Sequence, residues 1–197
     1  MKLPTHLIMK QTFNLFAAIA LASQIAACVP VVVGGAAAGS AMAADRRTTG
    51  VYVEDENIEL KATKNIADSL GETAHVNITS YKGHVLLTGE VANEDDKSKA
   101  ENITKAIASV LTVNNELAIG PKSSISSRAN DAYLTSKIKA QFISENRFQA
   151  NYVKVVTENS VVYLMGYVTQ AEATAAVEIT RNTSGVTKVI KMFEYMP

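Results

Sequence analysis

Val85-Leu86-Leu87-Thr88-Gly89-Glu90-Val91 returns 77 residues later as Val162-Tyr163-Leu164-Met165-Gly166-Tyr167-Val168. Both read V-x-L-x-G-x-V, with apolar side chains at every second position, the period of a strand. At the same offset upstream, Val76-Asn77-Ile78-Thr79 matches Val153-Lys154-Val155-Val156. Downstream, Ser109 to Val113 matches Gly185 to Val189 after a one-residue slip. The chain is therefore a duplication, and a fold is needed for one repeat only.

Each repeat reads helix, strand, strand, helix, strand. Ala62, Ile66 and Leu70 recur at helical spacing, as do Leu134, Ile138 and Phe142. Lys82-Gly83 and Asn159-Ser160 sit between alternating segments and predict two-residue hairpin turns. Asn93-Glu94-Asp95-Asp96 starts the second helix of the first repeat. Thr169-Gln170-Ala171-Glu172 forms a capping box for its counterpart. These helices are expected to bury Ala100, Ile103 and Ile107, and Ala173, Val177 and Thr180. The fold class is α+β: two tandem αββαβ domains, each a small three-stranded mixed sheet with two helices on one face. Gly89 and Gly166 fall where a core side chain is due, which predicts a bulge or a close approach of a helix backbone.

Ahead of the repeats, Lys2 and Lys10 precede a short apolar run from Phe13 to Ala22, broken by Ser23-Gln24 and ending at Ile25-Ala26-Ala27-Cys28. This is a cleavable signal, too short and interrupted to span a bilayer. Met9 is an alternative start, since Met9 to Ala27 alone makes a complete signal. Ile25 to Cys28 resembles the lipobox of bacterial lipoproteins, which implies cleavage after Ala27 and lipid on Cys28. Val29 follows the cysteine, where an Asp would imply inner-membrane retention. By that resemblance the protein belongs on the periplasmic face of a Gram-negative outer membrane. The expected organisation is signal 1–27, lipidated anchor and flexible tether 28–55, first domain 56–120, linker 121–127 and second domain 128–197.

The repeats resemble the BON domain, a small periplasmic and outer-membrane module. The whole arrangement resembles the dual-BON lipoproteins associated with division and outer-membrane stress. That resemblance implies binding of anionic phospholipid, phosphatidylglycerol or cardiolipin, through the first helix of the second repeat. The residues expected to meet lipid are Tyr133, Leu134, Lys137, Lys139 and Ala140. Tyr133 and Lys137 lie one turn apart, pairing an interfacial ring with an ammonium. The first repeat is taken to carry Lys61 in the equivalent place, so only the second repeat is expected to touch lipid.

Charge divides the chain. Residues 51–120 carry 6 Lys and 12 Asp+Glu, whereas residues 121–197 carry 9 Lys+Arg and 6 Asp+Glu. The outward face of the second hairpin carries Val161, Tyr163, Met165 and Tyr167, against His84, Leu86, Thr88 and Glu90 in the first. An apolar outer face wants a cover. The acidic repeat is the first candidate, and a separate envelope protein the second; Tyr163, Met165 and Tyr167 are the expected interface.

No catalytic constellation, phosphate loop or nucleotide fingerprint is present. No cofactor, metal or nucleic acid is expected, and the protein is read as a non-enzyme. Cys28 is the lone cysteine, so no intramolecular disulfide forms. His75 and His84 flank the first hairpin and are assigned solvated or capping roles; Glu90, Glu94, Asp95 and Asp96 are assigned to a helix N-terminus. The competing function is a protein-interaction scaffold without headgroup recognition.

Overall fold

The structure is a computed structural model that describes residues 45–71 and 74–197. The signal segment, Cys28 and the chain up to residue 44 lie outside the described residues.

The first repeat comprises α1 (Thr49–Leu70), β1 (His75–Tyr81), β2 (His84–Val91), α2 (Glu94–Lys105), β3 (Thr112–Asn115) and β4 (Ala118–Ile119). The second comprises α3 (Ile125–Glu145), a 3-10 turn (Ala150–Tyr152), β5 (Lys154–Glu158), β6 (Val161–Val168), α4 (Gln170–Asn182) and β7 (Lys188–Tyr195). Side-chain oxygens of Thr48, Asn93, Ser124 and Thr169 cap the four helices, taking up amides that have no intrahelical acceptor. Only Thr169 makes the full capping box, with Glu172 reaching back to its amide.

Each hairpin is antiparallel, and the last strand returns parallel to its second strand. Lys82 (φ 53°) and Gly83 (φ 76°) close the first hairpin; Asn159 (φ 48°) and Ser160 (φ 63°) close the second. Two successive left-handed residues match the twist of the flanking strands.

Three differences from the expected layout have local causes. The tether ends sooner than residue 55, because α1 begins at Thr49 and Asp45–Arg47 already contact the folded part. Likewise α3 begins inside the expected linker, at Ile125. The last strand of the first repeat is split, giving four strands instead of three. There the Leu117 amide donates to Asn115 Oδ1 (3.3 Å), and Leu117 turns into the core.

One core lies between α1, α2 and the first sheet, with Ile58, Ala62, Ile66, Val85, Leu87 and Val91 at its centre. Its counterpart gathers Ile138, Phe142, Val155, Val162, Leu164 and Ile179. Leu86, Tyr81, Tyr163 and Met165 form a third core from the sheet faces opposite the helices. The two sheets thus stack face to face with helices outside.

The paired glycines admit a carbonyl from the preceding segment, not a helix. A Cβ on Gly89 would overlap the His75 carbonyl oxygen, and one on Gly166 that of Tyr152, its equivalent. Gly89 also sits at φ 110°. Gly166→Ala is expected to cost about 1–3 kcal/mol by overpacking, and Gly89→Ala more, since backbone strain adds to the clash. Urea unfolding midpoints at constant slope would measure both.

Candidate functional site

The repeats share a device absent from the expectations. In the inward stripe of each first helix, a carboxylate stands one turn before the first aliphatic residue: Asp55 before Ile58, Asp131 before Leu134. Asp55 accepts from Ser80 Oγ (2.6 Å), Lys82 N (2.8 Å), Gly83 N (2.9 Å) and Arg47 Nη1 (3.0 Å). Asp131 accepts from Asn159 N (2.9 Å) and Ser160 N (2.8 Å). Each buried acid therefore ties its helix to its hairpin turn. Burial alone would push the Asp55 carboxyl up, but donation from Ser80, Gly83, Lys82 and Arg47 outweighs it and holds the group below its ordinary range.

Around the third core runs a polar rim joining acidic and basic repeats. Lys154 Nζ pairs with Glu59 (2.8 Å). Lys82 Nζ pairs with Glu194 (2.6 Å) and lies 4.1 Å from the Tyr167 ring centroid. The Tyr167 amide donates to Tyr81 Oη (3.2 Å). Tyr163 and Met165 are buried, and burial pushes the Tyr163 phenol up to about 12, with Glu116 and Glu158 adding to it.

Two successive arginines fasten the entering chain to both repeats. Arg46 makes a bidentate pair with Glu172 (2.7 and 2.8 Å), donates to the Tyr167 carbonyl (3.0 Å) and stacks 3.7 Å over Tyr152. Arg47 pairs with Asp45 (2.6 Å) and Asp55 and lies over the Tyr52 and Tyr81 rings at 4.8 and 4.5 Å.

On the opposite side of the rim, Glu90 is not at a helix N-terminus but buried in the seam. It accepts from Ser123 N (3.0 Å) and Asn159 Nδ2 (2.9 Å), and His75 Nδ1 lies 3.0 Å away. Burial would raise its carboxyl, yet these groups hold it low. Glu158 accepts from Asn77 Nδ2 (2.9 Å), but burial, aided by the Glu90 charge, pushes its carboxyl up. His84 is elsewhere, at the hairpin turn beside Thr112 Oγ1 (2.7 Å). The two histidines occupy opposite ends of the hairpin, paired with Glu90 and Tyr81 respectively, and do not face each other.

The lipid-facing candidates divide. Leu134 is 1% exposed and packs beneath Gly185, so it belongs to the interior and cannot meet headgroups. Tyr133 is 62% exposed, and Lys139 and Ala140 are also exposed. Lys137 is half-buried; its Nζ donates to the Ser184 carbonyl (3.2 Å) and lies 6.0 Å from the Tyr133 ring centroid. Ile125 (80% exposed) and Ile143 (68%) complete the surface, with Ala129, Ala132 and Ser136 between them. At 100° per residue these uncharged positions make one outward stripe on α3, with Lys137 and Lys139 on either flank. Among the described residues no helix is long and apolar enough to cross a membrane.

The buried pairs Asp55/Asp131, Ile58/Leu134, Ala62/Ile138 and Ile66/Phe142 align the first helices at an offset of 76. Tyr133 therefore corresponds to Asn57, not Lys61. Where α3 exposes Ala132, Tyr133 and Ala140, α1 carries Glu56, Asn57 and Lys64.

Two αββαβ units carrying V-x-L-x-G-x-V on their central strands define a protein class, and the BON domain model matches residues 54–121 and 130–197. The chain belongs to the BON-domain family, among its two-domain outer-membrane lipoproteins. It is 40% identical over 171 residues to the outer membrane lipoprotein DolP of Haemophilus influenzae, covering 86% of this chain and 89% of that one. A 21 kDa hemolysin of Actinobacillus pleuropneumoniae is 34% identical over 154 residues, covering 77% of this chain and 79% of its own. The osmotically-inducible protein Y of Escherichia coli is 26% identical, covering 77% and 78%.

Acid titration tests the Asp55 bracket. A carboxyl held low in the fold contributes stability that is present above its unfolded value, near 3.9, and lost as pH falls through the folded value. Asp55→Asn is expected to lower stability at neutral pH by about 2–4 kcal/mol. Its urea midpoint should then fall less steeply than the parent's between about pH 5 and pH 2.

Proposed function

We propose that Cys28 is lipidated after cleavage behind Ala27, and that the second BON domain lays the outward face of α3 on anionic phospholipid, phosphatidylglycerol or cardiolipin. The role that follows is upkeep of outer-membrane integrity, with cell division as the setting that the family resemblance offers. The reading is of a binding module, not an enzyme.

The observation that carries it is the uncharged stripe of Ile125, Ala129, Ala132, Tyr133, Ala140 and Ile143 between two lysines. A helix of this kind lies in the interface plane, its apolar side at headgroup depth and its ammonium groups on phosphate. Tyr133 supplies the ring suited to that depth. Each cation adds about 1 kcal/mol near an anionic surface, so two lysines alone bind weakly. An anchor at Cys28 raises the effective concentration to the order of mM.

Placement of the entering chain agrees. Asp45 lines the same cleft as Lys139 and Ile143. Sixteen residues lie between Cys28 and Asp45, a reach of at most roughly 60 Å, which lets an anchor at Cys28 hold the α3 stripe within reach of a bilayer.

Vesicle flotation of a Cys28-lacking soluble form tests the reading. Vesicles containing phosphatidylglycerol should carry the protein, and neutral phosphatidylcholine vesicles should not. Tyr133→Glu should weaken binding about tenfold or more, and added salt should weaken it further. Asn57→Glu, at the matching place in α1, should leave it unchanged. Equal recovery on both vesicle types, indifferent to Tyr133→Glu, would leave the scaffold reading in its place.

A further inference from the structure

His75, Glu90 and Glu158 converge at the domain seam, and the metal-free reading of the histidines does not account for them. One imidazole nitrogen of His75 and one oxygen from each carboxylate lie within 4.8 Å of one another. They come from β1, from β2 and from the end of β5, so neither repeat holds the set by itself. Glu90 and Glu158 are buried, with Glu158 only 6% exposed. Two carboxylates side by side in a buried seam repel each other.

We propose that His75, Glu90 and Glu158 form a divalent transition-metal site, best suited to Zn²⁺, that fastens the first BON domain to the second. One imidazole nitrogen and two carboxylate oxygens are a donor set that zinc accepts. Calcium would demand six or more oxygens, and magnesium near-ideal octahedral geometry. Bonds of about 2.05 Å require roughly 3.3 Å between donor atoms in a tetrahedron. His75 and Glu90 already stand at 3.0 Å, so a modest closure of Glu158 completes the triangle.

The groups behind the donors orient them, as outer partners do at metal sites. Ser123 N and Asn159 Nδ2 donate to Glu90, and Asn77 Nδ2 to Glu158. Ser123 Oγ is buried beside them without a protein partner. His75 and Glu158 also line a cleft with Arg128, Asp131 and Thr135, which opens the cluster to solvent. That opening gives the ion a way in and leaves its fourth position to water. A bound ion would neutralise both carboxylates and bridge the repeats, so its binding free energy would add to the stability of the seam.

Calorimetric titration of Zn²⁺ into the chelator-stripped full-length protein in detergent tests the site. One equivalent should bind at micromolar zinc, and the thermal midpoint should rise by about 5 °C at hundredfold excess over Kd. His75→Gln and Glu158→Gln should each weaken binding at least about tenfold, whereas His84→Gln should not. Calcium should produce neither heat nor shift. If Glu158→Gln does not fold, His75→Gln, at a side chain 16% exposed, carries the comparison. Absence of saturable binding overturns the proposal, as does affinity that survives the His75 change or falls with the His84 change.

Discussion

A sheet with both helices on one side must do something with its other side. In the second repeat that side presents Tyr163 and Met165, side chains that water will not favourably solvate. The first repeat offers Tyr81 and Leu86. Neither repeat can bury these groups alone, and each supplies the other's missing layer. Everything polar at the seam follows from that contact. Lys154 meets Glu59 and Lys82 meets Glu194 because the stacked sheets bring an acidic repeat against a basic one. Rim pairs of this kind contribute modestly to stability but help set which way the sheets stack.

The duplication keeps its scaffold and changes its surfaces. Buried acids, left-handed hairpin residues and the glycine that admits a carbonyl occur in both copies. The first helices then part ways. Packing constrains the inner stripe of α1 and α3 alike, so Ile58 and Leu134 are both buried. Nothing in the fold constrains the outer stripe, and there one copy sets Glu56 and Lys64 among exposed Val53 and Leu60 while the other carries no charge. A surface that the scaffold leaves unconstrained is where one copy can acquire a partner that its sister lacks.

The arginines before α1 hold the two repeats together. Arg46 reaches the second repeat and Arg47 the first, from adjacent positions in the chain. The segment that leads into α1 is thus also a clasp across the seam. Composition gives no hint of this, since Asp45-Arg46-Arg47 reads as an ordinary charged loop. Arg46 finds Glu172 and the Tyr152 ring only after residues more than 100 positions away have folded beside it, and Arg47 finds Asp55 and the Tyr81 ring only after α1 and the hairpin have met.

What the chain discloses unaided is whatever has a short period or a local rule. Strand alternation, helical spacing, the turn residues and the 77-residue repeat are of this sort, and they lead to the paired αββαβ units. Asp55 and Asp131 were legible in principle, as acids standing in otherwise apolar stripes. The exact partners across the seam were not. Whether Leu134 faced lipid or the interior depended on Gly185 lying over it, and whether Glu90 belonged to a helix end or a buried cluster depended on a strand end 68 residues further on, at Glu158. Periodicity constrains which side of an element is apolar; only the packing of distant elements determines what each side meets.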